Sequence, residues 1–266
     1  MSVLRALAAV TLATSILWAV PASALDLIGL TANNQLLLMT DTQPGAARSL
    51  GITGVDTKVL GIDIRPADLA LYAVTASGTI YTIDTNTGAA TRKAKISEPL
   101  EAVDNLVVDF NPKADRLRVM ASNGQNLRVN VDTGVTVIDG RLSYGKGDAH
   151  VGDVPSVLAG AYINSYKGTK FTQLFDVDSM NGVYVVQNPP NDGILKTVGP
   201  TGLAAGTKIE AIDIFTDTKD EYHGFAVAGG ALYTFPVAKG RMARVGKIDS
   251  PAGADVIDIA TPVVNR

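Results

Sequence analysis

Short runs of alternating hydrophobic and polar residues follow one another along most of the chain, and glycine-containing turns separate them. Ser77-Gly78, Asn123-Gly124 and Gly229-Gly230 each stand between two such runs. Dipeptides of this kind permit the positive φ that tight hairpin turns require. From residue 25 onward no segment keeps helical spacing for three turns, so the pattern predicts an all-β chain.

One strand–turn–strand unit occurs twice without a gap, at a spacing of 46 residues. The segment 61–88 aligns with the segment 107–134, so that Asp63 lies over Asp109 and Gly78 over Gly124. Self-similarity at this period is typical of stacked or circular repeat proteins. Four short strands fit within one period, which indicates that each unit is a blade of a β-propeller.

The first strand of each unit carries an aspartate between apolar residues. These aspartates are Asp63, Asp109, Asp213 and Asp258. We assign a fifth unit to the segment Ala161 to Asn164, with Tyr162 in the aspartate position. Because the motif lies on the innermost strand, we expect these five residues to surround a central channel.

The two ends of the chain complement each other. The segment from Leu27 matches the second and third strands of a blade, whereas the segment Val256 to Pro262 is a first strand with no hairpin after it. If the C-terminal strand joins the first blade, both irregularities disappear and the closure leaves no open sheet edge. We therefore predict a single domain over residues 25–266, a five-bladed β-propeller with four antiparallel strands per blade.

Residues 1–24 have the features of a secretory signal peptide. Arg5 precedes an apolar run, and Ala22-Ser23-Ala24 resembles a cleavage site. The apolar run is shorter than the roughly 20 residues that span a bilayer. We expect cleavage after Ala24, export to the periplasm or the medium, and no membrane span in the mature chain.

The composition limits the classes of partner and the kinds of catalysis that the chain could support. The chain has a net charge of −3 and no lysine or arginine cluster, which argues against nucleic acid as a partner. It contains no cysteine, which excludes disulfides and thiolate catalysis. We expect the partner to be an envelope or extracellular ligand or protein.

The channel aspartates allow two interpretations. Converging carboxylates could hold a hard cation such as calcium, and they would otherwise repel one another and take up protons. Alternatively, each aspartate accepts hydrogen bonds from the backbone of the neighbouring blade, because a buried carboxylate needs partners but not a metal. The sequence leaves both open.

The third blade departs from the second at five positions, where arginine and amide side chains replace small or apolar residues. These residues are Arg116, Arg118, Gln125, Asn126 and Arg128, in place of Ala70, Tyr72, Thr79, Ile80 and Thr82. On a two-residue hairpin, Arg116 and Arg118 would share one face and Arg128 would point to the other. The guanidiniums could bind a carboxylate or sugar-acid ligand, or they could pair with Asp109 or Asp115.

The longest departure from the repeat is the glycine-rich segment 144–155. It contains Asp148, His150 and Asp153, which are weak candidates for metal ligands; a solvated loop is the alternative interpretation. The sequence contains no GxSxG, HExxH or phosphate-loop motif, which weakens an enzymatic interpretation.

Three segments resemble a family of secreted bacterial proteins. They are residues 110–134, which include DRLR and GQNLR, residues 160–165, and residues 174–199, which include QNPPNDG. On these motifs the chain resembles the DUF4394 family, whose name denotes a domain of unknown function. The resemblance implies a β-propeller-like fold in an exported protein and implies no activity or catalytic residue.

These observations favour an exported, non-catalytic binding or interaction module of unknown ligand. One alternative is a metal-assisted hydrolase or lyase that uses the channel aspartates, with His150 or an arginine assisting. Another is a structural protein of the cell envelope.

Overall fold

The computed structural model describes residues 24–101, 105–250 and 253–266. The signal-peptide prediction lies outside the described residues, apart from Ala24. No helix in the described part of the chain has the length and apolar character needed to cross a membrane.

Five antiparallel sheets make up five blades, as the repeat predicted. Blade one contains β1 (Asp26–Thr31), β2 (Gln35–Thr40), β3 (Gln43–Gly51) and β21 (Val256–Ala260). Blade two contains β4 (Val59–Ile64), β5 (Leu71–Thr75), β6 (Thr79–Ile83) and β7 (Ala90–Lys95). Blade three contains β8 (Leu106–Asn111), β9 (Arg116–Ala121), β10 (Asn126–Val129) and β11 (Thr136–Ile138).

The remaining strands form the last two blades. Blade four contains β12 (Ser143–Tyr144), β13 (Val157–Tyr162), β14 (Leu174–Asp178), β15 (Val183–Gln187) and β16 (Ile194–Pro200), with a short 3-10 helix at Pro190–Asp192. Blade five contains β17 (Ile209–Thr216), β18 (Tyr222–Ala228), β19 (Ala231–Phe235) and β20 (Ala243–Lys247).

The C-terminal strand closes the ring, which confirms that prediction. β21 pairs antiparallel with β1, and Asp258 lies opposite Leu30. The first blade is therefore built from both ends of the described chain, so neither end can form a complete blade alone.

Blade four differs from the predicted pattern of four strands. β12 adds a fifth strand, parallel to β16, with Ser143 opposite Ile194. This parallel pair comes from the segment after blade three, which has no counterpart in the 46-residue repeat. The loop after β15 contains the cis peptide bond between Asn188 and Pro189.

The repeated Thr-Gly turn has a packing role. Gly88 and Gly134, which align in the repeat, have φ of +75° and +77°. A Cβ at Gly88 would overlap the carbonyl of Gly51, and one at Gly134 would overlap the carbonyl of Lys95. Glycine is therefore required both for the turn and for the close approach to the preceding blade.

The blades pack face to face through buried apolar side chains. Between blades two and three the core includes Leu60, Tyr72, Val108 and Phe110, and the rings of Tyr72 and Phe110 meet edge to face at 5.2 Å. Gly61 on β4 allows the inner strands to approach, because a Cβ there would lie 2.9 Å from the Cβ of Val108.

We expect the Gly61→Ala substitution to destabilise the protein by about 1–3 kcal/mol, because the added methyl group overpacks the contact between blades two and three. Chemical denaturation measures this change. Gly51→Ala is the matched control, since a Cβ at Gly51 meets no atom within 4 Å. Equal stability of the two variants would contradict the packing derived for the inner strands.

Candidate functional site

The four channel aspartates are buried, and each accepts a hydrogen bond from a backbone N–H of another blade. The acceptor and donor residues are Asp258 with Ile62 (2.7 Å), Asp63 with Phe110 (2.6 Å), Asp109 with Tyr162 (3.0 Å) and Asp213 with Thr261 (2.6 Å). These bonds join blade one to two, two to three, three to four, and five to one. The geometry matches the interpretation in which the carboxylates fix blade packing.

Blade four has no aspartate on its inner strand, and the predicted position of Tyr162 needs correction. Ala161 lies opposite Phe175 in β14, as Asp213 lies opposite Phe225 in β18, so Ala161 and not Tyr162 is at the aspartate position. Tyr162 is one residue further along, and its side chain packs in a cluster with Val107 of blade three. The same bulge lies near the start of β4, β13 and β17, so Val157 aligns with Val59 and Ile209, and the sequence assignment was one residue out of register.

An apolar contact holds blades four and five together at this position. Ala161 belongs to a cluster that also contains Phe175, Tyr184 and Phe235. The rings of Phe175 and Tyr184 stack at 5.2 Å, and Phe235 meets Tyr184 edge on. The interface between blades four and five is thus more apolar than its neighbours near the channel.

Burial raises the pKa of all four channel carboxyls. For Asp63 the charge of Asp213 raises the pKa further, and for Asp109 the charge of Asp63 does so. Burial raises the pKa of Asp258 well above its ordinary value and that of Asp213 to about 6. Part of this set therefore holds protons at mildly acidic pH.

Arg118 lies fully buried between blades three and four. Its Nη1 donates to Asn126 Oδ1 (2.7 Å) and Asp139 Oδ2 (2.5 Å), and its Nη2 donates to Asn191 Oδ1 (3.0 Å). Its Nε donates to the hydroxyl of Tyr162 at 3.3 Å. Arg118 is thus an internal link between the two blades and does not offer its donors to a ligand at the surface.

The structure also corrects the prediction of which face of the β9–β10 hairpin each arginine occupies. Arg128 lies directly opposite Arg118 in the β9–β10 pair, so the two share a face. Both bind Asp139, and Arg128 does so through Nε (2.6 Å) and Nη2 (2.9 Å). The prediction was wrong because the turn between Ala121 and Gln125 holds three residues rather than two. The partner Asp139 is neither of the two aspartates considered from the sequence.

The two amides of the predicted site are also internal. Gln125 accepts from the N–H of Glu101 (3.0 Å) and donates to the carbonyl of Pro99 (2.9 Å). Asn126 donates to the carbonyls of Gly140 (3.0 Å) and Pro190 (3.1 Å). Both side chains therefore fix the loops around blade three.

Arg116 and Arg128 remain at the surface and line a cleft of about 310 Å³. The other lining residues are Asn130, Thr133, Val135 and Val137. Arg116 donates through Nη1 to the backbone carbonyl of Asp115 at 2.7 Å. The cleft therefore presents guanidinium groups beside valine side chains, and Val135 is 62% exposed.

Sequence analysis did not predict a second arginine network, which is centred on Arg65. Arg65 binds both carboxylate oxygens of Asp115, at 2.8 and 2.6 Å, and it also contacts Asp68, Asp132 and the hydroxyl of Tyr72. It joins blade two to blade three at the end of the disc where the β4–β5 and β8–β9 loops lie. In the repeat Asn111 replaces Arg65, so the alignment gave no signal for this network.

Asp176 is a buried carboxylate that sequence analysis did not single out. Neither of its oxygens has a hydrogen-bond partner among the described residues. It lies opposite Gly160 in β13, and a Cβ at Gly160 would overlap its Oδ1. Burial raises the pKa of Asp176 to about 8, although the charge of Arg118 lowers it in part.

The predicted metal residues of the 144–155 loop have other partners. Asp148 accepts from the N–H and the hydroxyl of Thr197 (2.7 and 2.9 Å), which pins the loop to β16. His150 Nδ1 lies 3.1 Å from Asp153 Oδ2. Among the described residues, the three ligand groups that converge within 4.8 Å are instead those of Asp217, Glu221 and His223.

The sequence profile of one protein family matches residues 35–260, which is most of the chain. The family is described as Domain of unknown function (DUF4394). The chain belongs to the DUF4394 family. No curated protein sequence matches this DUF4394 chain.

One solved structure shares the fold with this DUF4394 protein. A structural genomics protein of unknown function from Bacteroides thetaiotaomicron is similar, with 16% sequence identity and a TM-score of 0.52. The alignment covers 90% of this chain and 65% of that structure, so the DUF4394 chain spans less than two thirds of its relative. A catalytically inactive virginiamycin B lyase from Staphylococcus aureus, solved with quinupristin, aligns at 13% identity and a TM-score of 0.43, over 87% and 73% of the two chains.

We expect Asp176→Asn to raise the melting temperature relative to the wild type, by an amount that grows with pH. The folded-state pKa of about 8 exceeds the ordinary value of 3.8, so the folded protein holds a proton that the unfolded chain releases. The wild type therefore loses stability as pH rises from about 4 to about 8. Each kcal/mol moves the melting temperature by roughly 2–4 °C in a domain of this size.

Thermal unfolding at several pH values measures the difference between variant and wild type. The exposed Asp26, changed to Asn, is the control for loss of one carboxylate. A difference between Asp176→Asn and wild type that stayed constant across this pH range would show that Asp176 does not titrate as described.

Proposed function

We propose that this propeller is an exported, non-catalytic binding module, and that the cleft between Arg116 and Arg128 takes a carboxylate flanked by an apolar group. The observation that carries the proposal is the lining of this cleft. It contains two guanidiniums and two valines, and among the described residues no carboxylate contributes to it. Arg116 donates through Nη1 to a backbone carbonyl, and its Nε and Nη2 make no hydrogen bond within the described part of the chain.

The local charge supports an anionic ligand. Three guanidiniums, those of Arg116, Arg118 and Arg128, lie near one another, and Asp139 bonds to two of them. Asp115 lies beside Arg116, but both of its carboxylate oxygens bind Arg65. A guanidinium with unused donors in a partly apolar cleft favours a carboxylate, which can accept two parallel hydrogen bonds.

The arrangement of the remaining polar groups favours binding over catalysis. The channel aspartates, which a metal-assisted hydrolase would use as ligands, accept hydrogen bonds from backbone N–H groups instead. Arg118, the arginine nearest the channel aspartate Asp109 in the β8–β9 register, is committed to side chains of blades three and four. The groups considered for chemistry therefore serve the scaffold.

We expect Arg116→Ala to weaken the binding of short acidic peptides by roughly 10-fold or more, because hydrogen bonds to charged groups contribute about 1.5–3 kcal/mol. Calorimetric titration compares C-terminally amidated peptides that end in Val-Asp or Val-Glu with amidated peptides that end in Val-Asn or Val-Gln. The acidic peptides should bind more tightly, and added salt should weaken their binding.

Arg92→Ala is the matched control, because Arg92 is an exposed arginine on the outer strand of blade two. It should leave the affinity unchanged. The proposal fails if the acidic peptides bind no better than their amides, or if Arg116→Ala and Arg92→Ala have equal effects.

The proposed signal peptide leads to a separate prediction about export. When the full chain is expressed with its first 24 residues in a Gram-negative host, the mature protein should begin at Leu25 and accumulate outside the cytoplasm. Mass spectrometry of the intact protein and cell fractionation measure this. A cytoplasmic product that retains Met1 to Ala24 would refute the signal-peptide assignment.

A further inference from the structure

A second cleft, distinct from the one lined by Arg116 and Arg128, opens where blades three and four meet. It has a volume of about 230 Å³, and four segments contribute to it. They are the β8–β9 loop, the end of β13 with the loop that follows, the end of β15, and the loop containing the cis peptide bond. The lining residues used in the argument below are Lys113, Phe171, Gln187 and Asn188.

Gln187, which lines this cleft, carries an unused hydrogen-bond acceptor that is shielded from solvent, so a ligand donor must displace neighbouring side chains to reach it. Its side chain is 1% exposed, and its Nε2 donates to the carbonyl of Pro190 at 2.6 Å. This bond fixes the amide orientation and leaves Oε1 with no partner among the described residues. A buried acceptor without a partner is unfavourable, so a hydroxyl or N–H that reached it would gain more than one bonding to an exposed acceptor.

Phe171 supplies an aromatic surface at the rim. Its side chain is 58% exposed, although it is a large apolar residue. Its backbone carbonyl accepts from Asn164 Nδ2 (2.9 Å) and from the hydroxyl of Thr169 (2.8 Å). Asn164 is buried, has φ of +59° and accepts a hydrogen bond from the hydroxyl of Tyr222 at 3.1 Å. The hydrogen bonds of this buried asparagine therefore fix the loop that carries Phe171.

From these observations we infer that this cleft binds a sugar residue. A pyranose has one apolar C–H face that can stack on a single aromatic ring, and its hydroxyls can donate to an amide oxygen and accept from amide or ammonium N–H groups. Phe171 offers the ring, Gln187 the acceptor, and Asn188 and Lys113 the donors. The small volume limits the occupant to about one sugar unit, with the rest of a chain extending into solvent.

The alternatives fit less well. An acyl chain would leave the amides of Gln187 and Asn188 without hydrogen-bond partners, which is costly in a desolvated site. A strongly anionic ligand would find a single cationic group, Lys113, in the lining. A hydroxyl-rich ligand uses both the aromatic and the polar groups.

Ligand-observed NMR with glucose, galactose, N-acetylglucosamine and glucuronate, each at millimolar concentration, tests the inference. At least one sugar should bind in a saturable manner, with signals from one ring face stronger than from the other. Phe171→Ala should weaken that binding roughly 3- to 10-fold, and Gln187→Met about 10-fold. Glucuronate binding that depends on Lys113, tested with Lys113→Ala, would assign the ligand as an acidic sugar.

Two control variants separate the cleft from general effects. Met180 is a large apolar residue of similar exposure, 61%, on the β14–β15 turn, and Met180→Ala should not change binding. Gln35 also has a buried Oε1 without a partner but lies on blade one, and Gln35→Met should not change binding. Phe171 is exposed, so Phe171→Ala should fold even if Gln187→Met does not.

The inference is overturned if none of the four sugars binds, or if Phe171→Ala binds as the wild type does. Because the site proposed for carboxylates uses different residues, Arg116→Ala should leave neutral-sugar binding unchanged. Loss of peptide binding without loss of sugar binding, or the reverse, therefore shows which of the two proposals fails.

Discussion

The structure depends on a carboxylate of one blade reaching a backbone N–H of another near the propeller axis. The blades are separate sheets, and in the described part of the chain isolated backbone contacts, such as the bridge between Thr53 and Ala89, join neighbouring blades in place of a continuous ladder. Apolar faces hold the blades together, but they do not fix the rotation of one against the next, because hydrophobic contact is non-directional. Hydrogen bonds from Ile62, Phe110, Tyr162 and Thr261 to the inner aspartates supply this direction. They also explain why buried carboxyls with raised pKa values are retained.

The interface between blades three and four contains a buried polar cluster, and the second candidate cleft opens there. Arg118 is buried there in a set of side chains that includes Asp139 and Asn191, and Asp176 lies nearby without a hydrogen-bond partner. A buried ion pair of this kind need not add stability, but removing one partner is costly. We therefore interpret the polar interface as a set of contacts that fixes the loops of both blades, and these loops form the rim of the second cleft.

Much of the fold could be predicted because it is repeated. The aligned Gly88 and Gly134, and the aligned Asp63 and Asp109, have equivalent roles in both blades, so the repeat revealed strands, turns and closure. Features outside the repeat could not be found this way. β12 and Asp139 follow β11, in a segment without a counterpart, and Ala161 was missed because the first strand of blade four has no aspartate to fix the alignment. The isolation of Asp176 depends on packing against blade three that no local pattern encodes.

Closure by β21 also determines when the ring can become complete. The bond from Ile62 to Asp258 spans 196 residues, and blade one stays without its innermost strand until β21 is available. During synthesis the earlier blades therefore accumulate as an open arc whose two end faces are exposed. Contacts this distant in sequence form slowly, because the chain must first lose the entropy of a large loop. The tertiary structure can therefore be completed only after β21 has been synthesised.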